Sequence, residues 1–294
     1  MPPTVHVTGE LPARVHEALA ESFALVDGVE GADGILSVLT TPVDGELLDR
    51  AGQQLRIVAN YGVGVDNVDL EAARARNVLV ANTPDVLTDA VAELTIALTL
   101  ALLRRVVEGD RFLRKQSRWS FSLDFMLGRS LRGKTFGVVG PGRIGRAAAS
   151  LAEALGARAI FAGRSGDDLD SLLRTADVVS LHCPLTPDTR HLIDAAALAR
   201  MRPTAVLVNT ARGPIVDEPA LVAALHDGTI AGAALDVYEH EPEVSAGLLE
   251  LENVVLTPHV ASATPDTREA MGMLAVEALR AVLLERRVPS NIVP

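Results

Sequence analysis

The segment VVGPGRIGRAAASLAEALG (138–156) limits what this chain can fold into more than any other stretch. It begins as a β-branched strand, passes three glycines and continues as an alanine-rich helix. In a G-x-G-x-x-G turn, the glycines allow a tight bend, a close approach to a pyrophosphate and close helix–strand packing. The helix N-terminus adds free N–H groups and the positive end of a dipole. The segment therefore predicts a dinucleotide site formed by Gly140, Gly142, Arg143, Ile144 and Gly145.

The end of the next strand predicts which dinucleotide binds. That strand, RAIFAG, ends at Gly163 and is followed by Arg164 and Ser165. NAD enzymes place Asp or Glu here for the ribose 2′-hydroxyl, and that carboxylate would repel a 2′-phosphate. Arg164 instead offers a planar charged fork for a phosphate, and Ser165 offers a hydroxyl donor. We expect NADP(H) to be favoured, with NAD(H) as the alternative if Arg164 only stacks on the adenine.

Strand-like and helix-like segments alternate along the chain, which is typical of parallel α/β sheets. The alternation breaks at NTPDVLTDA, after which one long helix is expected from Asp89 to Lys115, and six strand-like runs then follow, from TFGVVG to NVVLTP. The predicted fold class is α/β, with two Rossmann-like, doubly wound parallel-sheet domains and the active site in the cleft between them. The expected domains are 1–83 (flavodoxin-like, first part of the substrate domain), 84–262 (NAD(P)-binding) and 263–294 (a helix returning to the substrate domain).

Composition and charge exclude several classes of function. The net charge of −11 argues against binding to nucleic acid or to anionic membranes. The most apolar window, LTIALTLALL, is about half the length of a bilayer span and predicts a buried helix. The single cysteine, Cys183, fits a reducing compartment. The first residues resemble no secretory signal, so we expect a cytoplasmic protein. No metal is expected.

Three ionisable residues follow the last three predicted strands. AVLVNTARG leads to Arg212, AALDVYEHEP to Glu241 and VVLTPH to His259. Ligands of open α/β sheets bind outside the carboxyl ends of the strands, so these side chains should converge. Arg212 can hold a substrate carboxylate, His259 can protonate a carbonyl oxygen, and Glu241 can orient the imidazole and stabilise its charged form. Each residue alone could be structural, but together they predict carbonyl reduction. The other histidines have no comparable setting.

Several motifs together resemble the D-2-hydroxyacid dehydrogenase family over residues 50–280. They are NYGVGVDNVDLEAA, NTPDVLTDAVAEL, GKTFGVVGPGRIGR, LHCPLTPDTRHLI, NTARGPIVDEPAL, ALDVYEHEP and TPHVASAT. Within the family, the chain is most similar to the glyoxylate/hydroxypyruvate reductase branch. This resemblance implies a homodimer whose interface includes the long helix.

The resemblance also implies roles for individual residues. It assigns the catalytic trio to Arg212, Glu241 and His259, and the substrate carboxylate to the backbone of Val63 and Gly64. Cofactor contacts are implied for Thr88, Pro184, Thr210 and Asp236, with Asp236 at the nicotinamide amide, and for Ser262 beside the active site.

The expected reaction is reduction of a small 2-oxo acid, glyoxylate or hydroxypyruvate, to the D-2-hydroxy acid. An NAD-dependent dehydrogenase of another D-2-hydroxy acid, such as the phosphoglycerate type, remains as an alternative. A cofactor-sensing binding protein with the same fold is a second alternative, although a sensor needs no general acid.

Overall fold

The computed structural model describes residues 1–115, 119–163 and 169–293. It divides the chain into two compact units, one of residues 1–87 with 262–294 and the other of residues 88–261. The chain thus leaves the first unit after Leu87 and returns to it at Ser262. The sequence-based boundaries are 83/84 and 262/263.

The strands and helices alternate as the sequence predicts. The strands are β1 (Thr4–Val7), β2 (Ala24–Val26), β3 (Gly34–Val38), β4 (Ile57–Tyr61), β5 (Leu79–Ala81), β6 (Thr135–Val139), β7 (Arg158–Ala162), β8 (Val178–Leu181), β9 (Val206–Asn209), β10 (Gly232–Leu235) and β11 (Val254–Leu256). The helices are α1 (Ala13–Ala20), α2 (Gly45–Ala51), α3 (Leu70–Ala75), α4 (Thr88–Leu103), α5 (Val106–Lys115), α6 (Arg143–Ala154), α7 (Leu169–Thr175), α8 (Ala195–Arg200), α9 (Glu218–His226), α10 (Ala246–Glu250) and α11 (Pro265–Leu283).

The first unit is built on a sheet with the strand order β2-β1-β3-β4-β5, in which all pairs are parallel. Its inner strand β4 is buried along its whole length, as expected for a parallel strand covered on both faces. Helix α11 packs on β4 and α1 through a buried face that includes Gly272, Ala275 and Ala278. At Gly272 in this face, a Cβ would lie 2.9 Å from the Tyr61 hydroxyl, so only glycine allows the close approach. The C-terminal helix therefore belongs to the core of this unit.

The second unit contains a sheet with the order β11-β10-β9-β8-β6-β7, again with parallel pairs throughout. From β6 the chain runs to one side through β7 and then returns to the other side through β8. This reversal creates a crevice at the carboxyl ends of β6 and β8, the usual ligand position in doubly wound sheets. Helices cover both faces of the sheet, and apolar side chains fill both layers. The prediction of two parallel α/β domains is confirmed.

Two details of the predicted fold are wrong. No strand is expected from the sequence at 24–26, yet Ala24–Val26 pairs with β1 at the edge of the sheet. The long helix expected from Asp89 to Lys115 is two helices, because α4 ends at Leu103 and Arg105 adopts a left-handed backbone with a φ of 55°. The Arg105 guanidinium binds Glu108 in the first turn of α5, with its Nε at 2.7 Å from the carboxylate, and this contact stabilises the break.

Candidate active site

The glycine-rich turn has the backbone geometry that a dinucleotide requires. Gly140 has a φ of 93°, and a Cβ there would lie 2.5 Å from the Cys183 nitrogen. At Gly145 a Cβ would lie 2.5 Å from the Gly140 carbonyl oxygen, so this glycine is required by the turn itself. Around Gly142, by contrast, a Cβ would meet nothing within 4 Å. The turn therefore leaves open space at its second glycine alone, where a pyrophosphate would approach the backbone.

Helix α6 begins directly at this open space. Its N-cap is Gly142, which supplies no side-chain hydrogen bond to the first turn of the helix, and the N-terminus of a helix favours an anion. Arg143 and Ile144 are its first two residues. The space, the uncapped helix and the position at the β6/β8 crevice all fit a dinucleotide.

The segment that carries Arg212 is fixed by its neighbours. The buried amide of Asn209 donates to the Arg212 carbonyl oxygen at 2.8 Å and accepts from the Ala211 nitrogen at 3.0 Å. At Gly213, any Cβ would overlap the carbonyl oxygen of Tyr238. The backbone at 213 therefore lies directly against the segment that leads to Glu241. This contact explains how residues from two strand ends come together.

His259 and Glu241 form a direct hydrogen bond. The His259 Nδ1 lies 2.7 Å from the Glu241 Oε2, while the Glu241 Oε1 accepts from the Tyr238 nitrogen at 3.0 Å. Each of the two side chains is one-third exposed. Because a carboxylate can only accept, Nδ1 must carry the proton in this pair. Nε2 is therefore the ring nitrogen left to exchange a proton with a ligand.

The surroundings of Glu241 keep its carboxylate charged. Burial works to raise its pKa, but the hydrogen bonds from His259 and from the Tyr238 nitrogen outweigh burial, and the charge of Arg212 acts in the same direction. The net result is a pKa below the ordinary value for a glutamate. The sensitivity of Glu241 to Arg212 and His259 indicates that the three predicted residues form one electrostatic group.

Asp236 organises the segment that carries His259. Its fully buried carboxylate accepts from the Thr257 hydroxyl at 2.6 Å, from the Val260 nitrogen at 2.9 Å and from the Ala261 nitrogen at 2.8 Å. The Asp236 carbonyl oxygen also accepts from the His259 nitrogen at 2.8 Å. His259 has a left-handed backbone with a φ of 52°, which these bonds hold in place. The predicted contact of Asp236 with a nicotinamide amide stays a prediction.

The remaining predicted residues of the second unit lie at its strand ends or helix starts. Thr88 is the first residue of α4, and Pro184 is exposed after β8. Thr210 is buried, and its hydroxyl lies 2.9 Å from the hydroxyl of Thr95 on α4. Thr95 also bonds to the Val91 carbonyl oxygen at 2.8 Å, so both bonds are satisfied only if Thr210 donates to Thr95. The Thr210 oxygen is then an acceptor for any ligand.

The other predicted residues lie elsewhere in the chain. Val63, Gly64 and Ser262 belong to the first unit. Arg164 and Ser165 lie outside the described residues, so the prediction of NADP preference stays a prediction.

His191 has a functional setting near Glu241 that the sequence pattern does not indicate. Its Nε2 lies 2.6 Å from the Glu239 carboxylate. Glu239 and Glu218 also exchange hydrogen bonds, each carboxylate accepting from the other's backbone nitrogen, at 3.2 and 3.0 Å. Burial works to raise the Glu239 pKa, but the bonds from His191 and from the Glu218 nitrogen, together with the nearby histidines, outweigh burial and the net pKa is lowered. The two glutamates attach the segment before Glu241 to the start of α9.

The described residues contain no group of three or more His, Cys, Asp or Glu side chains that could hold a metal ion. Within the same residues, every helix is too short or too polar to cross a membrane.

A dinucleotide turn beside an Arg–Glu–His group defines a class: oxidoreductases that use a nicotinamide cofactor. Residues 96–261 match the family model of the D-isomer-specific 2-hydroxyacid dehydrogenase, NAD-binding domain. A glyoxylate reductase of Korarchaeum cryptofilum is 42% identical to this chain, and the match covers 100% of this chain and 96% of that protein. The glyoxylate reductase of Thermococcus litoralis is 44% identical, and the match covers 92% of this chain and 86% of that protein. The structure of an NADPH-dependent glyoxylate/hydroxypyruvate reductase of Sinorhizobium meliloti, in complex with NADP and malonate, superposes with a TM-score of 0.88 at 37% identity, covering 100% of this chain and 97% of that one. The chain belongs to the D-isomer-specific 2-hydroxyacid dehydrogenase family.

Two alanine substitutions should separate the cofactor role of the turn from its structural role. Gly142→Ala adds a methyl group to open space, so the free energy of unfolding should change by no more than about 0.5 kcal/mol. The methyl group would block the pyrophosphate, so the cofactor Kd should rise about tenfold or more. Gly145→Ala should instead cost about 1–3 kcal/mol of stability, because its Cβ meets the Gly140 carbonyl. Urea unfolding and cofactor titration measure both effects, and a Gly142→Ala variant with wild-type affinity would contradict the assignment.

Proposed function

We propose that this protein reduces a small 2-oxo acid, glyoxylate or hydroxypyruvate, to the D-2-hydroxy acid, with NADPH as the favoured reductant. The observation that carries the proposal is the 2.7 Å hydrogen bond between His259 and a charged Glu241 beside Arg212. The glyoxylate reductases among the relatives support the choice of substrate.

The protein's own residues supply every part of the reaction except the hydride. When bound at the Gly140–Gly145 turn, the reduced nicotinamide would supply a hydride to the carbonyl carbon. His259 delivers the balancing proton from Nε2 to the carbonyl oxygen, because Nδ1 is committed to Glu241. Glu241 stabilises the charged imidazole before that transfer. Arg212 binds the substrate carboxylate and polarises the adjacent carbonyl.

We also propose that the protein is a cytoplasmic homodimer, as its resemblance to the family implies. Support for a dimer comes from α5 and the segment after it. Helix α5 has no fully buried residue. Several large apolar side chains of α5 and of the segment after it are exposed to solvent: Val106, Leu113, Trp119, Phe121, Leu123 and Leu127. A partner surface would remove this apolar area from water.

Replacement of the proposed general acid should reduce the chemical step. We expect His259→Asn to lower kcat for glyoxylate by about 10²–10⁴, the usual contribution of general acid–base catalysis. Binding of NADPH should change little, because the cofactor turn is intact. Steady-state rates and a fluorescence titration of NADPH measure these two quantities. Turnover close to wild type would remove His259 from this role and favour a different proton donor.

Replacement of Glu241 should lower the rate of reduction at neutral pH. The lowered pKa keeps the wild-type carboxylate charged as the pH falls below the ordinary range of a glutamate, so its charged contact with His259 is lost only in acid. Glu241→Gln lacks this charge at every pH, so its kcat should lie about tenfold or more below that of the wild type in the neutral range and approach it only in acid. Rates with glyoxylate over a series of pH values compare the two enzymes, and identical profiles would show that Glu241 does not act on His259.

The cofactor preference depends on Arg164, and initial rates can decide it. We would measure glyoxylate and hydroxypyruvate, each with NADPH and with NADH, on the wild type and on Arg164→Ala. The preference for NADPH should fall by about tenfold or more in the variant, as expected for the loss of a charge-assisted phosphate contact. A wild-type preference for NADH would show that Arg164 does not select the 2′-phosphate and only lies beside the adenine. Turnover of no 2-oxo acid would favour the cofactor-sensing alternative.

A further inference from the structure

The turn that follows β4, Gly62–Val65, has its carbonyl oxygens bound by the protein. The Gly62 carbonyl accepts from the Thr83 nitrogen at 3.0 Å. The Val63 carbonyl accepts from the side-chain amide of Asn82, and the Gly64 carbonyl accepts from that of Asn60, both at 2.8 Å. Three successive carbonyl groups are therefore fixed, two of them by asparagine side chains.

The orientation of both asparagine amides is determined by their partners. A backbone carbonyl can only accept, so the nitrogen of each amide must face the turn. Asn60 is fully buried, and its oxygen accepts from the Asn67 amide at 3.1 Å. The backbone of Asn82 is held on both sides by Asn291, which accepts from the Asn82 nitrogen at 3.1 Å and donates to its carbonyl oxygen at 2.6 Å. The amides of Asn60 and Asn82 are therefore held in fixed orientations by the surrounding hydrogen bonds.

The fixed carbonyls also fix the directions of the N–H groups. In a trans peptide the N–H points opposite to the carbonyl of the same peptide plane, and the only cis peptide of the described chain is Glu241–Pro242. The N–H groups of Gly64 and Val65 therefore point away from Asn82 and Asn60, and the N–H of Val63 points away from the Thr83 nitrogen. Among the described residues, none of the three donates a hydrogen bond to the protein. These residues are partly exposed, so the N–H groups are accessible to a ligand.

Successive N–H groups that face one side form a concave anion site. We propose that Asn60 and Asn82 are positioning residues for the substrate: they bind the carbonyls of Gly64 and Val63 and so direct the neighbouring N–H groups at the carboxylate of the 2-oxo acid. The inference rests on the proposed function and adds the residues that would set its affinity for a carboxylate. It predicts that both asparagines affect KM and leave the chemical step unchanged.

Asn82→Leu tests this inference with a neutral side chain of similar size that cannot donate. We expect the KM for glyoxylate to rise about tenfold, as for the loss of an oriented hydrogen bond to a charged group, while kcat stays within about twofold. Asn82→Ser keeps a donor and should recover part of the affinity. Asn60→Leu should act in the same direction, but its buried network can reduce folding, so Asn82 carries the test.

Asn253→Leu is the matched control. Asn253 is also a partly buried asparagine whose amide donates to backbone carbonyls, those of Leu225 and Ala231, but it lies in the second unit. It should lose some stability and keep the wild-type KM. A folded Asn82→Leu variant with a wild-type KM, or one that loses only kcat, would overturn the inference.

A binding measurement separates failure of this inference from failure of the proposed function. Oxamate, an unreactive analogue of a 2-oxo acid, is titrated into the ¹⁵N-labelled wild-type protein in the presence of NADPH and, separately, of NADH. The amide signals of Val63, Gly64 and Val65 should shift with saturation, and Asn82→Leu should raise the oxamate Kd about tenfold. If the wild type reduces no 2-oxo acid and these shifts still occur, the proposed function fails and the positioning role stands. Absence of the shifts overturns the positioning role whatever the turnover.

Discussion

The hydrogen bonds of the buried Asp236 hold the segment that carries His259, and the geometry of the Arg–Glu–His group depends on them. It accepts three hydrogen bonds from residues 257–261, and its own backbone binds His259. A buried carboxylate is costly unless its oxygens are paired, so this segment cannot move without leaving a charge unsatisfied. His259 can therefore occupy a left-handed backbone conformation that would otherwise be unfavourable. The result is an imidazole whose Nδ1 faces Glu241 and whose Nε2 is left to a ligand.

A second constraint holds Glu241 in place. The backbone of Gly213 lies against Tyr238, and the reciprocal bonds of Glu218 and Glu239 attach the next residue to the start of α9. Glu241 then follows with one oxygen on the Tyr238 nitrogen. Packing and hydrogen bonds thus fix the backbone on both sides of the Arg212–Glu241 pair. The proposed catalytic side chains themselves stay partly exposed, as side chains that meet a substrate must.

The features that depend on local sequence patterns could be predicted from the sequence. The glycine turn, the alternation of strands and helices, and the position of Arg212, Glu241 and His259 at strand ends follow from periodicity and from the topology of parallel sheets. The break at Arg105 was missed because it depends on one left-handed residue and an ion pair with Glu108, and neither changes the helical pattern of the segment. Strand β2 was missed because three residues at a sheet edge carry almost no periodicity. His191 and Glu239 were missed because they are 48 positions apart, and only the fold brings them together.

The asparagines of the first unit were hidden from the sequence for a related reason: a polar residue at a strand end predicts contact with a ligand, whereas Asn60 and Asn82 bind the backbone instead. This arrangement suits a chain with a net charge of −11, which in the proposed function binds two anions, the cofactor and the substrate. Lysine or arginine at the turn would add a charge whose burial costs free energy, whereas neutral amides fix the carbonyls and leave the backbone N–H groups as donors. The start of α6 uses the same means, since Gly142 leaves its first N–H groups without a side-chain cap. In the proposed reaction, oriented peptide groups therefore bind the anionic parts of the ligands, and the ionisable side chains are placed where charge changes during the reaction.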